Sequence, residues 1–410
     1  QQGYIVCSRQ NQQQSTGFPY LQQGSFSKTV GYSTDGFQFF GKSYKETNQP
    51  EIVTKPTLVN EVYQYEFAYT ALQTEKVILE GSNGFVFYGL FKENHETAVT
   101  ELEFQDDIRK AWDQVQALDK QQGTPVNKTK LVDSVMDTIE ADKLTIEEIN
   151  EYYPSRHQEE WDGETLLSFF TDTHEHIVLK DKELLVERPH GHIIMSGGNN
   201  KLKENTITST SWMYGIFNAH IVVGNTNFNK MLTNARNALN IHKTSGQRVY
   251  VEIDGTYRLL GLPSVYEIGF NYARWYYKTA KDTFIVTSYT TVDSPEVRLH
   301  VKTTSGTAYR YLVTNQVAMH PNEYEVPYHI TQDDQVIRVT ADQAAMNAEV
   351  YPNLTYKMMV DNAAFTLVDE QKLATNVEAG SASLAILELE PTNEFGITVQ
   401  GLLHGEDLPM

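Results

Sequence analysis

Apolar and polar positions alternate over much of this chain, in short runs separated by turn residues. In the first hundred residues, Phe37-Gln-Phe39, Val62-Tyr-Gln-Tyr-Glu-Phe67, Val77-Ile-Leu79 and Phe85-Val-Phe-Tyr-Gly-Leu-Phe91 carry the pattern, with Ser82-Asn-Gly84 as a turn. Large side chains on every second position suit a pleated surface buried on at least one face, so these runs predict strands. The texture changes at Phe104. Asp106-Asp107 stand ahead of Ile108, Ala111, Trp112, Val115 and Leu118, a 3.6-period stripe with acids in its first turn. After Gly123-Thr-Pro125 the stripe resumes with Leu131, Val135, Met136 and Ile139, and Thr145-Ile-Glu-Glu148 has the form of a capping box opening a short helix before Pro154.

From Ile177 to the end the pattern is again β. Val249 to Leu260 reads as a hairpin turned by Asp254-Gly255, and Ala273–Tyr277 with Thr283–Tyr289 as a second. Val297–Val301, Tyr309–Val313, Gln335–Val339, Tyr356–Val360, Leu384–Leu389 and Ile397–Gly401 follow at short intervals, interrupted by one modest helix near Phe228–Asn237. Such spacing is that of a sandwich or barrel. The expected fold is therefore mainly β, a large antiparallel sandwich with a helical insert. Its expected segments are strands over 1–104, a helical insert or linker over 105–170 and a large antiparallel β-sandwich over 171–410.

One stretch gathers chemistry. Leu184-Leu-Val186, read as a strand-like run, leads through Arg188-Pro189 to His190-Gly-His192. Ile193–Met195, a Gly-Gly-Asn-Asn turn ending at Asn200, and Trp212 follow. Arg188, His190, His192, Asn199 and Asn200 combine a planar cation, imidazoles and amides, types that grip hydroxyls or an oxyanion. The same side chains also serve to tie a loop to its own backbone. His174-Glu-His176 and His190-Gly-His192 are two H-x-H pairs, and on a strand each pair would turn two imidazoles to one face, an alternative metal centre. Trp212, Trp275, Tyr276, Tyr277 and Tyr289 are candidate sugar-stacking rings, although three consecutive aromatics must face both sides of a strand and so include a core residue.

Composition narrows the classes. A formal net charge of −20 argues against binding nucleic-acid phosphates or an anionic membrane surface. The single cysteine, Cys7, excludes an intrachain disulfide and fits a reducing, cytoplasmic setting. No apolar run reaches the roughly 18 residues that span a bilayer. The chain opens on Gln1, as a processed protein or a piece of a longer one would. There is no nucleophile elbow, phosphate loop or H-E-x-x-H motif, and no carboxylate pair whose spacing marks an acid and a base.

Glu187-Arg-Pro-His-Gly-His-Ile-Ile-Met-Ser-Gly-Gly-Asn199 resembles a stretch of the β-1,2-oligoglucan phosphorylases. So do Ser211-Trp-Met-Tyr-Gly-Ile-Phe217, Gly224-Asn-Thr-Asn-Phe-Asn229 and Ser264-Val-Tyr-Glu-Ile-Gly-Phe-Asn-Tyr-Ala-Arg-Trp275. These enzymes belong to the inverting phosphorylase family that includes the cellobiose and chitobiose enzymes, and the likeness runs from about Phe85 to the C terminus. The resemblance implies an N-terminal super-β-sandwich related to the galactose-mutarotase type, joined through helices to an α/α barrel. It places the general-acid aspartate and most phosphate-binding residues in that barrel, so no catalytic residue is carried onto this chain. Implied partners are a β-glucan oligosaccharide, an α/α-barrel catalytic domain of the same gene and a second copy in a homodimer. Inorganic phosphate is the co-substrate, and no cofactor, nucleic acid or membrane is expected. The competing readings are a non-catalytic carbohydrate-binding or domain-assembly module, and a metal-dependent β protein built on the two H-x-H pairs.

Overall fold

A computed structural model describes residues 3–64, 67–118, 137–198, 203–224, 231–232, 239, 243–319, 328–373, 378–380 and 383–406. The chain forms two compact units. Unit 1 comprises Gln1–Tyr44 and Gln49–Lys128, and unit 2 comprises Lys45–Asn48 and Thr129–Met410.

Unit 1 is built on β1 (Val6–Arg9), β2 (Tyr20–Ser25), β3 (Thr29–Asp35), β4 (Ala68–Thr74) and β5 (Phe87–Lys92). They form two small antiparallel sheets, β1-β2-β5 and β3-β4. Tyr20 of β2 is buried, its hydroxyl donating to Gln22 Oε1 at 2.8 Å and its ring stacked on His95 at 4.8 Å. Phe37-Gln-Phe39, expected in a strand, lies in the short helix α1 (Gly36–Phe40). Asp35 caps it by accepting from the Phe37 amide at 2.9 Å, while Gln38 Oε1 accepts from the Asp35 amide at 3.2 Å. This Asp-x-x-Gln capping box outweighs the alternation of two phenylalanines. Val62 to Gln64 and Val77 to Leu79, also expected as strands, are irregular, and Glu66 with its neighbour Tyr65 lies outside the described residues.

A short helix, α2 (Tyr44–Thr47), is followed by α3 (Gln105–Ala117), α4 (Ile146–Tyr152), α5 (Lys180–Leu185) and α6 (Met346–Val350). α3 and α4 are the helices expected from the stripe and the capping box. Thr145 Oγ1 accepts from the Glu148 amide at 3.3 Å and Glu148 Oε2 from the Thr145 amide at 2.9 Å. Leu131, Val135 and Met136 of the second stripe lie outside the described residues, as does the helix expected near Phe228–Asn237 apart from Met231 and Leu232, of which Leu232 forms a β-bridge to Val317.

Unit 2 holds the remaining strands. The first are β6 (Arg156–Asp162), β7 (Thr165–Thr171), β8 (His176–Leu179), β9 (Gly191–Met195), β10 (Ile207–Trp212), β11 (Ile216–Val223), β12 (Gln247–Ile253), β13 (Thr256–Leu259) and β14 (Val265–Ile268). Then come β15 (Tyr272–Lys278), β16 (Thr283–Thr290), β17 (Glu296–Thr303), β18 (Tyr309–Gln316), β19 (Tyr328–Asp333) and β20 (Val336–Ala341). Last are β21 (Thr355–Asp361), β22 (Phe365–Val368), β23 (Leu384–Thr392) and β24 (Glu394–Leu402). They build an 11-stranded sheet, β19-β20-β21-β24-β17-β16-β15-β14-β8-β7-β6, and an 8-stranded sheet, β22-β23-β18-β12-β11-β10-β9 with β13 beside β12.

One hydrophobic core joins the two sheets, with Ile221, Val249, Val313 and Leu387 from one and Trp275, Val286, Leu299 and Ile397 from the other. Strict alternation on β15 sends Ala273, Trp275 and Tyr277 inward and Tyr272, Arg274 and Tyr276 outward. The Asp254-Gly255 hairpin is present between β12 and β13, with positive φ at both residues (51° and 78°), as a two-residue primed turn requires. A buried amide chain crosses the smaller sheet. Asn218 Nδ2 donates to Gln247 Oε1 at 2.6 Å and Gln247 Nε2 to Asn315 Oδ1 at 2.9 Å, which fixes the register of β11, β12 and β18.

Two expectations need correction. Residues 156–170, placed with the helical insert or linker, belong to the β6–β7 hairpin at the edge of the larger sheet. Leu184 and Leu185 belong to α5 rather than to a strand. An apolar run of three residues carries no periodicity that separates the two states.

Candidate functional site

The chain leaves the larger sheet at β8, turns once through α5, and enters the smaller sheet at its edge strand β9. The loop between α5 and β9 carries Arg188, Pro189 and His190. Arg188 is exposed and His190 half-buried. Glu183, on α5, is wholly buried. Its Oε2 accepts from the His190 amide at 3.0 Å and sits 2.6 Å from His190 Nδ1. A carboxylate oxygen only accepts, so Nδ1 carries the hydrogen and Nε2 is the ring nitrogen left for a ligand. The arrangement is an imidazole oriented by a buried carboxylate.

The support beneath this pair is specific. Lys45, buried in unit 2, donates to the Glu183 carbonyl at 2.7 Å and the Val186 carbonyl at 2.6 Å, and so pairs main-chain oxygens at the end of α5. Lys180 donates to the Ala141 carbonyl at 2.8 Å and meets Glu46 at 2.5 Å. The His190 carbonyl accepts from the Met213 amide at 2.8 Å.

Between the two histidines, Gly191 pairs with Trp212 of β10. A Cβ at Gly191 would lie 2.5 Å from the Trp212 ring and 2.6 Å from the Ser211 carbonyl oxygen, so only glycine lets β9 close on the indole. His192 pairs with Ser211, whose hydroxyl is 3.1 Å from that of buried Tyr266. Burial holds His192 below the usual imidazole range, partly opposed by a hydrogen bond to the Gly269 main chain. His192 Nε2 and Trp212 Nε1 are buried with no partner among the described residues. Trp212 stacks almost parallel to Tyr214, at 8° and 6.5 Å, and its carbonyl accepts from Trp275 Nε1 at 3.2 Å.

The structure sets His192 and Trp212 on the paired strands β9 and β10, where the register turns them to opposite faces, Trp212 standing across from Gly191 and His192 across from Ser211; His190 and Arg188 lie on the adjoining loop. Asn199 and Asn200 lie outside the described residues. The two H-x-H pairs approach only through His176 and His190, whose ring centroids are 6.4 Å apart, while His174 sits at a turn with φ 72° and His176 stacks on Phe170 at 4.6 Å. Among the described residues no group of three or more His, Cys, Asp or Glu is arranged to hold a metal ion.

Of the candidate stacking rings, Trp275 and Tyr277 are fully buried in the core, as their place in a consecutive triplet foretold, whereas Tyr276 and Tyr289 face outward. Outside, Glu267 accepts from the Tyr276 hydroxyl at 2.8 Å and from Arg274 at 3.1 Å, and Arg274 also donates to Thr287 at 3.1 Å. Sequence reasoning missed Glu183, Lys45 and Glu267. The first two act through contacts across 7 and 138 residues, which no local motif announces.

An oriented imidazole and an exposed guanidinium on this loop are groups that can hydrogen-bond a hydroxyl-rich ligand.

Comparison with known proteins places the chain. Residues 153–401 match the glycoside phosphorylase supersandwich domain and residues 1–89 the SOGP N-terminal domain. A 1,2-beta-oligoglucan phosphorylase of Listeria innocua serovar 6a is 37% identical over 418 residues, covering 98% of this chain and 36% of its own length. The chain therefore spans about a third of that curated relative. Among solved structures, a heparinase III covers 55% of the chain and 37% of its own at 6% identity and TM-score 0.32. The 4-alpha-glucanotransferase of Thermococcus litoralis covers 55% and 41% at 10% identity and TM-score 0.28. Neither score adds to the fold already described. The two domain matches and the close relative carry the assignment: this chain belongs to the glycoside phosphorylase supersandwich family.

Proposed function

We propose that this chain is the sandwich-bearing part of an inverting phosphorylase that cleaves β-1,2-glucosidic bonds with inorganic phosphate. The observation that carries the reading is 37% identity, across 98% of the chain, to a 1,2-beta-oligoglucan phosphorylase. In the reaction a carboxylic acid protonates the glycosidic oxygen as the C1–O bond breaks. A phosphate oxygen attacks C1 from the opposite face, giving α-glucose 1-phosphate and a glucan one residue shorter.

On this reading the acid is supplied by an α/α-barrel domain and not by the present residues. Glu183, the α5 carboxylate that meets His190, is wholly buried, which suits it to orienting that ring rather than to delivering a proton to a sugar. His190, Arg188 and Trp212 then serve glucan recognition. Release of glucose 1-phosphate from β-1,2-gluco-oligosaccharides and phosphate, assayed with this chain and with the protein as its gene encodes it, tests the proposal. The expected result is release by the encoded protein and none by this chain. Turnover by the 410-residue chain alone would overturn the placing of the acid, and absence of turnover by both would overturn the activity.

A further inference from the structure

Unit 1 contains a trough of about 990 Å³, lined by β1 to β5 and by the irregular stretch at Val62 and Gln64. That volume lies at the upper end of the range of small-molecule sites. Three features define what it suits. Among the described residues no aspartate or glutamate lines it, in a chain whose formal charge is −20. The one cation among its described lining residues, Arg9, is already committed: it donates to the carbonyls of His95 at 2.7 Å, Glu96 at 3.0 Å and Gln10 at 3.1 Å, and lies 4.4 Å from the Phe18 ring centre. Among the described residues an anion therefore finds no available charge here.

The third feature is a set of neutral groups open to a ligand. Tyr4 and Tyr32 meet with ring centres 4.9 Å apart and form an aromatic corner of the trough. Their hydroxyls and the side-chain amides of Asn11 and Gln64 make no hydrogen bond to other described residues. At the rim, Val62 and Phe91 are 71% and 62% exposed, which adds apolar contact beside the polar groups. Aromatic faces next to neutral donors and acceptors match a sugar, which presents C–H faces and hydroxyl edges. A purely apolar ligand would leave the amides and hydroxyls unpaired on binding.

We propose that this trough is a binding site for a short neutral oligosaccharide, separate from the His190 loop. The ring faces lie on Tyr4 and Tyr32, and the hydroxyls meet Asn11 and Gln64. The inference rests on the phosphorylase reading only for the identity of the sugar, a β-1,2-linked gluco-oligosaccharide.

Calorimetric titration of the full chain with β-1,2-gluco-oligosaccharides tests it, using Gln64→Ala, Tyr32→Phe and His190→Ala, with a thermal melt confirming that each variant folds. Each trough variant removes one neutral hydrogen bond, so each is expected to weaken binding by about three- to tenfold. His190→Ala removes whatever the loop itself contributes, and the binding that remains should be the part that Gln64→Ala and Tyr32→Phe weaken. Absence of saccharide binding by the unaltered chain overturns the proposal. So does binding that His190→Ala abolishes and the two trough variants leave intact. Neither outcome touches the phosphorylase reading, which stands on glucose 1-phosphate release by the encoded protein.

Discussion

Single residues at the His190 loop explain why the sequence there takes the form it does. Gly191 is a glycine because the Trp212 ring occupies the space a Cβ would fill. Replacing Gly191 with Ala forces either the indole or the β9–β10 ladder to move, and overpacking of that kind costs about 1–3 kcal/mol. Urea unfolding should show that loss, and the change should be smaller in a Trp212→Leu background, where the ring is gone. An unchanged midpoint for Gly191→Ala would contradict the packing described. The histidines flanking Gly191 stood out in the sequence as a polar pair, but their different partners did not. His190 is tied to a glutamate seven positions earlier, whereas His192 is held by burial and by Gly269, on the β14–β15 connection. Only the three-dimensional fold assigns those partners.

At the level of elements, periodicity and capping carried most of the reading. The β15–β16 hairpin, the Asp254-Gly255 turn and α4 are present as the pattern implied. Thr145→Ala removes the side-chain acceptor at the start of α4 and should cost about 1 kcal/mol. Ile149 of α4 packs in a small core with Phe169 and Val265, so thermal denaturation should report the loss, and Thr145→Ser should restore it. The failures have physical causes as well. β6 reads Arg-His-Gln-Glu-Glu-Trp-Asp and is largely exposed at the sheet edge. Charge on an edge strand discourages pairing with other chains, and it also erases the apolar alternation by which a strand is recognised. Phe37-Gln-Phe39 failed in the opposite way, since alternation over three residues fits one turn of helix as well as it fits a strand.

Across the whole molecule, the two units should answer pH with opposite sign. In unit 2, His176 and His192 are both held below the ordinary imidazole range, chiefly by burial, with His190 and Lys182 adding to the effect at His176 and Glu160 opposing it. The unfolded chain then binds protons more readily than the folded one. The stability these residues contribute is complete above their unfolded value of about 6.5 and is lost as pH falls toward their folded values. In unit 1, His95 is pushed up, chiefly by its hydrogen bond to the Glu103 carboxylate at 2.9 Å, so its contribution is complete below about 6.5 and is lost as pH rises. Urea titrations at pH 5.5 and 7.5, with amide exchange resolving the units, should show unit 2 weaker and unit 1 stronger at the lower pH. His176→Asn with His192→Asn should flatten the first trend and His95→Asn the second. A common slope in both units would refute the assignment.

The segment Lys45–Asn48 has a consequence for anyone who divides this protein. It belongs to unit 2, yet it is reached by a chain that then returns to unit 1. Lys45 delivers its ammonium to carbonyls at Glu183 and Val186, and Lys243 donates to Asn48 Oδ1 at 2.7 Å. A gene fragment starting at Thr129 would encode every strand of the two large sheets and still omit a buried donor on which the end of α5 depends. During synthesis, Lys45 emerges long before the helix it serves, so that part of unit 2 must wait for sequence made more than a hundred residues later. The natural seam between the units is discontinuous in sequence, and cloning boundaries drawn from the domain matches alone would cut through it.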